Sequence, residues 1–168
     1  DGTRLIVPAF GAYTGGLNIR DRAFAGLFDR AAFKAHMLGE RRLYAIAAAR
    51  CLALGQAVGR AVQAWQSDAR VLMIGTGGLS HQLEGERAGH INKPFDLAFM
   101  DSLVSDPAWA TRYSINELVK QAGTQGIELL NWVAARGALP GQVRELHRNY
   151  HIPISNTAAG LMLLENRS

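Results

Sequence analysis

Cysteine is nearly absent from this sequence, which has one such residue, Cys51, among 168. A single thiol excludes an internal disulfide and any metal site built from several cysteines. No apolar run approaches the roughly 18 residues of a membrane-spanning helix, and no basic start with an apolar centre marks a signal peptide. We therefore expect a cytoplasmic protein with no membrane partner.

Clustered charge is also absent. Charged residues make up 19% of the chain and hydrophobic residues 48%, as in an ordinary globular domain. The net charge of +4 comes from dispersed arginines with acids between them, whereas a nucleic-acid surface needs grouped cations. We expect no nucleic-acid partner. Solvated faces explain this charge, and a positive field would also suit an anionic aromatic acid.

A glycine-rich segment at residues 75–83 follows an apolar run at 70–74. The run is typical of a buried parallel strand, and glycines allow a sharp turn at its carboxyl end. Ligands bind at that edge of open α/β sheets, where His81 would be presented. Histidine exchanges protons near neutral pH. The alternative is a loop histidine hydrogen-bonded to its neighbours.

Apolar spacing elsewhere predicts helices and short strands in alternation. Helices are predicted at residues 48–65, 97–104, 114–122 and 127–136, and strands at 3–8, 41–46, 150–154 and 161–164. Turns are predicted at 10–16 and 156–160, with short helical turns at 21–33. Ser114 and Glu117 form a capping-box pattern, and Gly137 is a candidate C-cap. This order predicts an α/β fold, a layered α/β/α domain with a largely parallel sheet.

Three blocks carry a resemblance to a known family. They are GTGGLSHQLEGERAGHINKPFDLAFMDSLVSDP at 75–107, AGTQGIELLNWVAARGAL at 122–139 and HRNYHIPISNTAAG at 147–160. From about residue 51 to 165 the chain resembles the C-terminal half of class III extradiol ring-cleavage dioxygenases of the protocatechuate 4,5-dioxygenase beta subunit and gallate dioxygenase type. The resemblance implies Fe(II) as cofactor, with a dihydroxy- or trihydroxybenzoate and O2 as substrates.

The resemblance also implies roles for individual residues. Glu128 matches an iron ligand 47 residues after His81, which matches the acid–base residue that takes a substrate hydroxyl proton and later returns one. Ser155 and Asn156 match residues that bind the ring carboxylate. From the residues alone, Glu128 could instead be a solvent-facing carboxylate in a first helical turn, and Ser155 and Asn156 could be ordinary turn residues.

The other candidate residues are given structural roles. Pro153 argues against a helix that would place His147 and His151 on one face, so a metal role for the pair is not favoured. His90 is expected in loop structure and His36 on the surface. The three tryptophans are expected in the core rather than at a cofactor: Trp65, Trp109 and Trp132.

The chain departs from the family at its N-terminal end. The family's two iron-binding histidines belong to a half that is missing here, and residues 1–46 contain only His36. The resemblance therefore implies that this chain lacks two iron ligands. The alternative function is a non-catalytic folded fragment or chimera that keeps the dioxygenase scaffold.

Residues 1–46 have a second resemblance. LIVPAFGAYTGGLNIRDRAF at 5–24 resembles the C-terminal tail of ligase-associated metallophosphoesterases, whose metal motifs would lie upstream. We expect two segments, 1–46 and 47–168, joined near residues 47–51 by a natural or an engineered fusion. A phosphoesterase remnant is a third hypothesis, tested by phosphodiester hydrolysis with Mn2+. Since half a domain would expose a sheet edge, we expect replacement strands from the first segment, a homo-oligomer or a partner chain.

Overall fold

The computed structural model describes residues 47–167, which belong to the second of two units, Ile46–Ser168. The predicted strands at 3–8 and 41–46, the turn at 10–16, the helical turns at 21–33 and His36 lie outside the described residues. Four helices, two short 3-10 turns and two strands follow in chain order. They are α1 (Ala48–Ala64), α2 (Lys93–Ser105), the turn Trp109–Arg112, α3 (Ile115–Ala122), the turn Gly126–Glu128, α4 (Leu129–Gly137), β1 (Val143–His151) and β2 (Ala159–Asn166). In this part of the chain, no helix is long and apolar enough to cross a membrane.

The strands β1 and β2 form an antiparallel hairpin, in which Val143 pairs with Asn166 and His151 with Ala159. The predicted combination of helices and strands is confirmed at this coarse level. A largely parallel sheet is not found within residues 47–167. The seven residues between the strands are too short for the crossover that parallel strands need, so the two strands run in opposite directions.

The predicted buried strand at 70–74 is wrong. These residues have no regular secondary structure, and the Leu72 and Ile74 residues are 72% and 70% exposed. Their backbone pairs with neither β1 nor β2. An apolar run forms a buried strand only where other strands flank it, and none does so among residues 47–167. Together with β2 the run borders a groove of about 360 Å³.

Local signals predict the helices well. α1 occupies nearly the whole predicted span. α2 begins at Lys93, four residues before the prediction, because the Asn92 side chain caps it by accepting from the Phe95 amide at 3.3 Å. The predicted capping box of α3 is confirmed, with Ser114 N–H donating to Glu117 Oε2 at 2.7 Å. The Ser114 donors lower the pKa of the Glu117 carboxyl.

Replacing Ser114 with alanine is expected to lower the free energy of unfolding by about 0.5–2 kcal/mol, because the Glu117 amide loses its acceptor. Urea denaturation of the two proteins measures the difference. Ser105→Ala is the control, since the Ser105 hydroxyl donates to the Asp101 carbonyl near the end of α2 and caps no amide. An equal loss in both variants would contradict a capping role.

Gly137 is the last residue of α4 rather than its C-cap, which is Ala138. Its function is close packing, since a Cβ there would meet the carbonyl oxygen of Leu52 in α1. Gly55 and Gly59 of α1 face the α4 end in the same way.

The core prediction is confirmed for Trp132, which is 8% exposed, but it is wrong for Trp65, which is 57% exposed at the end of α1. Trp109 is partly buried against the core, whose largest fully buried apolar residues are Phe99, Leu79, Met100, Leu118, Leu129 and Val133.

Candidate functional site

The glycine-rich loop is attached to the beginning of α4. The Gly77 carbonyl accepts a hydrogen bond from Trp132 Nε1 at 3.0 Å, and the Gly78 amide donates to Glu128 Oε2 at 2.9 Å. Gly77 has φ = +118°, a conformation that L side chains rarely adopt. The loop path therefore depends on glycine at this position.

His81 and Glu128 both lie against the Gly77–Gly78 pair. A Cβ at Gly77 would lie 2.6 Å from Glu128 Cβ, and a Cβ at Gly78 would lie 2.9 Å from His81 Cε1. Both distances are shorter than real Cβ atoms allow. The glycines thus bring one carboxylate and one imidazole against the same two residues of backbone.

The hydrogen bond of the His81 ring defines its tautomer. The residue is 5% exposed, and its Nδ1 lies 2.9 Å from the Leu79 carbonyl oxygen. A carbonyl oxygen only accepts, so Nδ1 must carry the proton in this bond. In the neutral ring, Nε2 then keeps its lone pair and is a proton acceptor.

The backbone of His81 is also held firmly. Its amide donates to the Ala122 carbonyl at 2.7 Å, and its carbonyl accepts from the Gly126 amide at 3.2 Å. An isolated antiparallel bridge joins His81 to Thr157, beside Ser155 and Asn156. Backbone bonds from residues far along the chain therefore fix the position of the imidazole.

Glu128 is half-buried at the end of the Gly126–Glu128 turn, immediately before α4. This position agrees with the simple expectation of a carboxylate at a helix N-terminus. Its side chain is not directed only to solvent, because it accepts from Gly78. Within residues 47–167 it forms no salt bridge.

A metal site would need more ligands than this loop brings together. Among the described residues, no group of three or more His, Cys, Asp or Glu side chains could hold a metal ion. His147 and His151 are exposed on β1. His90 is half-buried, and its Nε2 lies 2.8 Å from the Gln121 carbonyl oxygen. Residues 47–167 alone do not make up the two-histidine, one-carboxylate set that Fe(II) takes in oxygenases.

Ser155 and Asn156 are exposed in the turn between β1 and β2. Asn156 has φ = +54°, which asparagine tolerates better than most residues, and its amide donates to the Pro153 carbonyl at 3.1 Å. Its side-chain amide also faces the loop at Gly89. The turn therefore presents polar groups to solvent close to the His81–Thr157 bridge.

Sequence reasoning missed a buried carboxylate behind the loop. Asp96 is 1% exposed and accepts from Ser80 N at 2.8 Å, Ser80 Oγ at 2.6 Å and Tyr150 Oη at 2.9 Å. Burial raises the pKa of Asp96, against the opposing effect of these donors. Burial and the Asp96 charge raise the pKa of Tyr150. The available signal was a carboxylate between the apolar residues Phe95 and Phe99, where it is costly to bury.

The raised pKa of Asp96 predicts a pH dependence of stability. The pKa of Asp96 in the folded protein lies above its ordinary value of 3.8. Between these two pKa values, the folded protein therefore binds more protons than the unfolded protein does. The stabilisation that Asp96 provides is complete at pH values below its unfolded-state pKa, and it is lost as pH rises through its folded-state pKa. The free energy of unfolding should therefore fall with rising pH relative to that of Asp96→Asn, as measured by urea titrations from pH 3 to 7. An opposite slope would contradict the assignment.

Comparison with known proteins gives consistent matches. A family model described as the catalytic LigB subunit of aromatic ring-opening dioxygenase matches residues 43–161. Gallate dioxygenase of Pseudomonas putida is 41% identical over 120 residues, covering 71% of this chain and 35% of that enzyme. The 2,3-dihydroxyphenylpropionate/2,3-dihydroxicinnamic acid 1,2-dioxygenase of Xanthobacter autotrophicus is 33% identical over 153 residues, covering 64% of this chain and 48% of that enzyme. The alignments thus span between a third and a half of these relatives.

Proposed function

Because this chain belongs to the LigB family of aromatic ring-opening dioxygenases, we propose that it carries part of the active site of a non-haem Fe(II) extradiol dioxygenase. The proposed substrates are O2 and a dihydroxy- or trihydroxybenzoate, and the name of one relative, gallate dioxygenase, supports this class. One observation carries the proposal. His81 and Glu128 adjoin the same Gly77–Gly78 backbone, although 47 residues separate them in the sequence.

The proposed role of His81 is proton transfer. With its Nδ1 proton donated to the Leu79 carbonyl, the neutral ring has Nε2 available to accept a proton from a substrate hydroxyl. The same ring then returns a proton when the ring-opened product forms. A histidine with its tautomer already fixed needs no rearrangement before it accepts this proton.

Glu128 is the proposed iron ligand of this segment. Its Oε2 accepts from Gly78, a bond that would orient the carboxylate. The described residues offer this one ligand, so the two histidines of an iron site would have to come from beyond them. We propose residues 47–168 as the dioxygenase-like segment and 1–46 as a segment of different ancestry.

Ser155 and Asn156 are the proposed contacts of the substrate carboxylate. The hydroxyl and side-chain amide are suitable donors, and the turn reaches the His81 loop through Thr157. A positive net charge would also favour an anionic substrate. The predicted second copy or partner chain stays a prediction.

Anaerobic Fe(II) titration by isothermal calorimetry tests whether this chain alone holds a complete iron site. We expect weak or no binding by the chain alone, because Glu128 is a single ligand. Binding at micromolar or tighter affinity that Glu128→Gln abolishes would show a complete site within this chain. The control is Glu84→Gln, which alters an exposed carboxylate three residues after His81. Tight binding that survives Glu128→Gln would contradict the ligand assignment.

A further inference from the structure

One peptide unit connects the buried Asp96 to the His81 ring. The Ser80 N–H donates to Asp96 Oδ1 at 2.8 Å, and the Leu79 carbonyl accepts from His81 Nδ1 at 2.9 Å. These two groups are the two ends of the same planar Leu79–Ser80 peptide bond, so they cannot rotate independently. Any force that fixes the Ser80 N–H therefore fixes the acceptor of the His81 proton.

The Ser80 side chain reinforces this attachment. Its hydroxyl donates to Asp96 Oδ2 at 2.6 Å and accepts from the Asn92 amide at 2.7 Å. Hydrogen bonds to an ionised carboxylate are about twice as strong as those between neutral groups. Asp96 thus holds Ser80 by two charge-assisted bonds, from a position with almost no access to water.

Asp96 is itself held by two elements. It lies in α2, and the Tyr150 hydroxyl of β1 donates to its Oδ2 at 2.9 Å. The three donors are all directed at the carboxylate, which only accepts when ionised. The packed helix and strand therefore determine where the Leu79–Ser80 peptide lies.

We propose that Asp96 is a positioning residue, which orients the Leu79–Ser80 peptide so that its carbonyl keeps a proton on His81 Nδ1. Nε2 then stays free to accept a proton. The proposal rests on the proposed function in one respect only, which is that Nε2 accepts the proton of a substrate hydroxyl. The tautomer itself is a property of the folded chain without metal or substrate.

The test is the neutral tautomer of His81, measured on the full chain by the 15N chemical shifts of the ring. In the unsubstituted protein we expect the Nδ1-protonated form to dominate. Asp96→Leu removes every acceptor, and the ratio of Nδ1- to Nε2-protonated ring should fall about fivefold or more, since one hydrogen bond contributes about that factor. Asp96→Asn keeps a carbonyl acceptor for Ser80 N–H and should restore most of the preference.

Asp101→Leu is the matched control. Asp101 is on the same helix, is exposed and pairs with Arg148 rather than with Ser80, so the tautomer ratio should not change. A variant Asp96→Leu that loses stability but keeps the His81 tautomer would overturn the proposal, because Asp96 would then only support the fold. An Nε2-protonated ring in the unsubstituted protein would also overturn it, even if Asp96→Leu does not fold.

These outcomes are separable from failure of the proposed function. If His81→Ala leaves ring opening unchanged in an active assembly, the proton-transfer role fails whatever the tautomer. If that variant abolishes ring opening but Asp96→Leu leaves the tautomer unchanged, only the positioning role fails. Ser80→Ala offers a milder second variant, because it removes one of the two bonds from Ser80 to Asp96.

Discussion

Replacing Gly77 with valine is expected to lower the free energy of unfolding by about 2–6 kcal/mol, the sum of two effects. A β-branched residue at φ = +118° would cost about 1–3 kcal/mol of backbone strain. Its Cβ would also lie 2.6 Å from Glu128 Cβ, and overpacking costs another 1–3 kcal/mol. The substitution should also break the hydrogen bond from the Gly78 amide to Glu128 Oε2. Chemical denaturation followed by circular dichroism measures the loss.

Gly141→Val is the matched control for the Gly77 variant. Gly141 also has a positive φ, +62°, but no heavy atom lies within 4 Å of a Cβ placed there. The Gly141→Val variant should therefore show the cost of backbone strain without a steric overlap. His81→Ala should also cost less than Gly77→Val, because truncation leaves the loop path allowed. Equal losses at Gly77 and Gly141 would show that the contact with Glu128 is not tight.

Replacing His81 with alanine is expected to lower ring-opening turnover by about 10²–10⁴-fold, the usual contribution of one acid–base group. The activity is measured in a graft, in which residues 43–161 of this chain, the part that the family model matches, replace the corresponding segment of the Pseudomonas putida gallate dioxygenase. Iron content should stay nearly unchanged, because the proposed role is to carry a proton. Gallate-dependent O2 uptake and metal analysis measure the two effects.

His90→Ala is the control for the turnover measurement. His90 is half-buried and lies beside the Gln121 carbonyl, so its loss should change turnover little. Glu128→Gln should lose iron and turnover together. If His81→Ala loses iron to the same extent as Glu128→Gln, the roles assigned to the two residues are wrong.

The elements that the sequence predicts well are those that local interactions determine. α1 follows from apolar spacing, and the capping box of α3 follows from Ser114 and Glu117, three residues apart. The run at 70–74 was predicted wrongly because its burial depends on flanking strands, and apolar composition does not reveal whether they are present. Gly137 was assigned to a cap because its contact with α1 is made across tertiary structure.

The same distinction between local and tertiary interactions applies to the candidate site. His81 and Glu128 were singled out from their residue types and from the family resemblance, and their roles stay predictions. Asp96 and Thr157 were missed because their contacts join distant parts of the chain. Ser80 and Asp96 are 16 residues apart, and Asp96 and Tyr150 are 54 apart. No periodic pattern in the sequence indicates such pairs, so the contacts that hold the His81 loop are seen only in the three-dimensional structure.

Oxygen uptake by the unsubstituted graft tests the central claim most directly. If this chain carries the proton-transfer residue, one iron ligand and substrate contacts of a ring-opening dioxygenase, the iron-loaded graft should consume O2 with gallate. It should incorporate both atoms of ¹⁸O2 into the ring-opened product, as seen by mass spectrometry. A folded, iron-loaded graft that binds gallate but neither consumes O2 nor opens the ring would contradict the account.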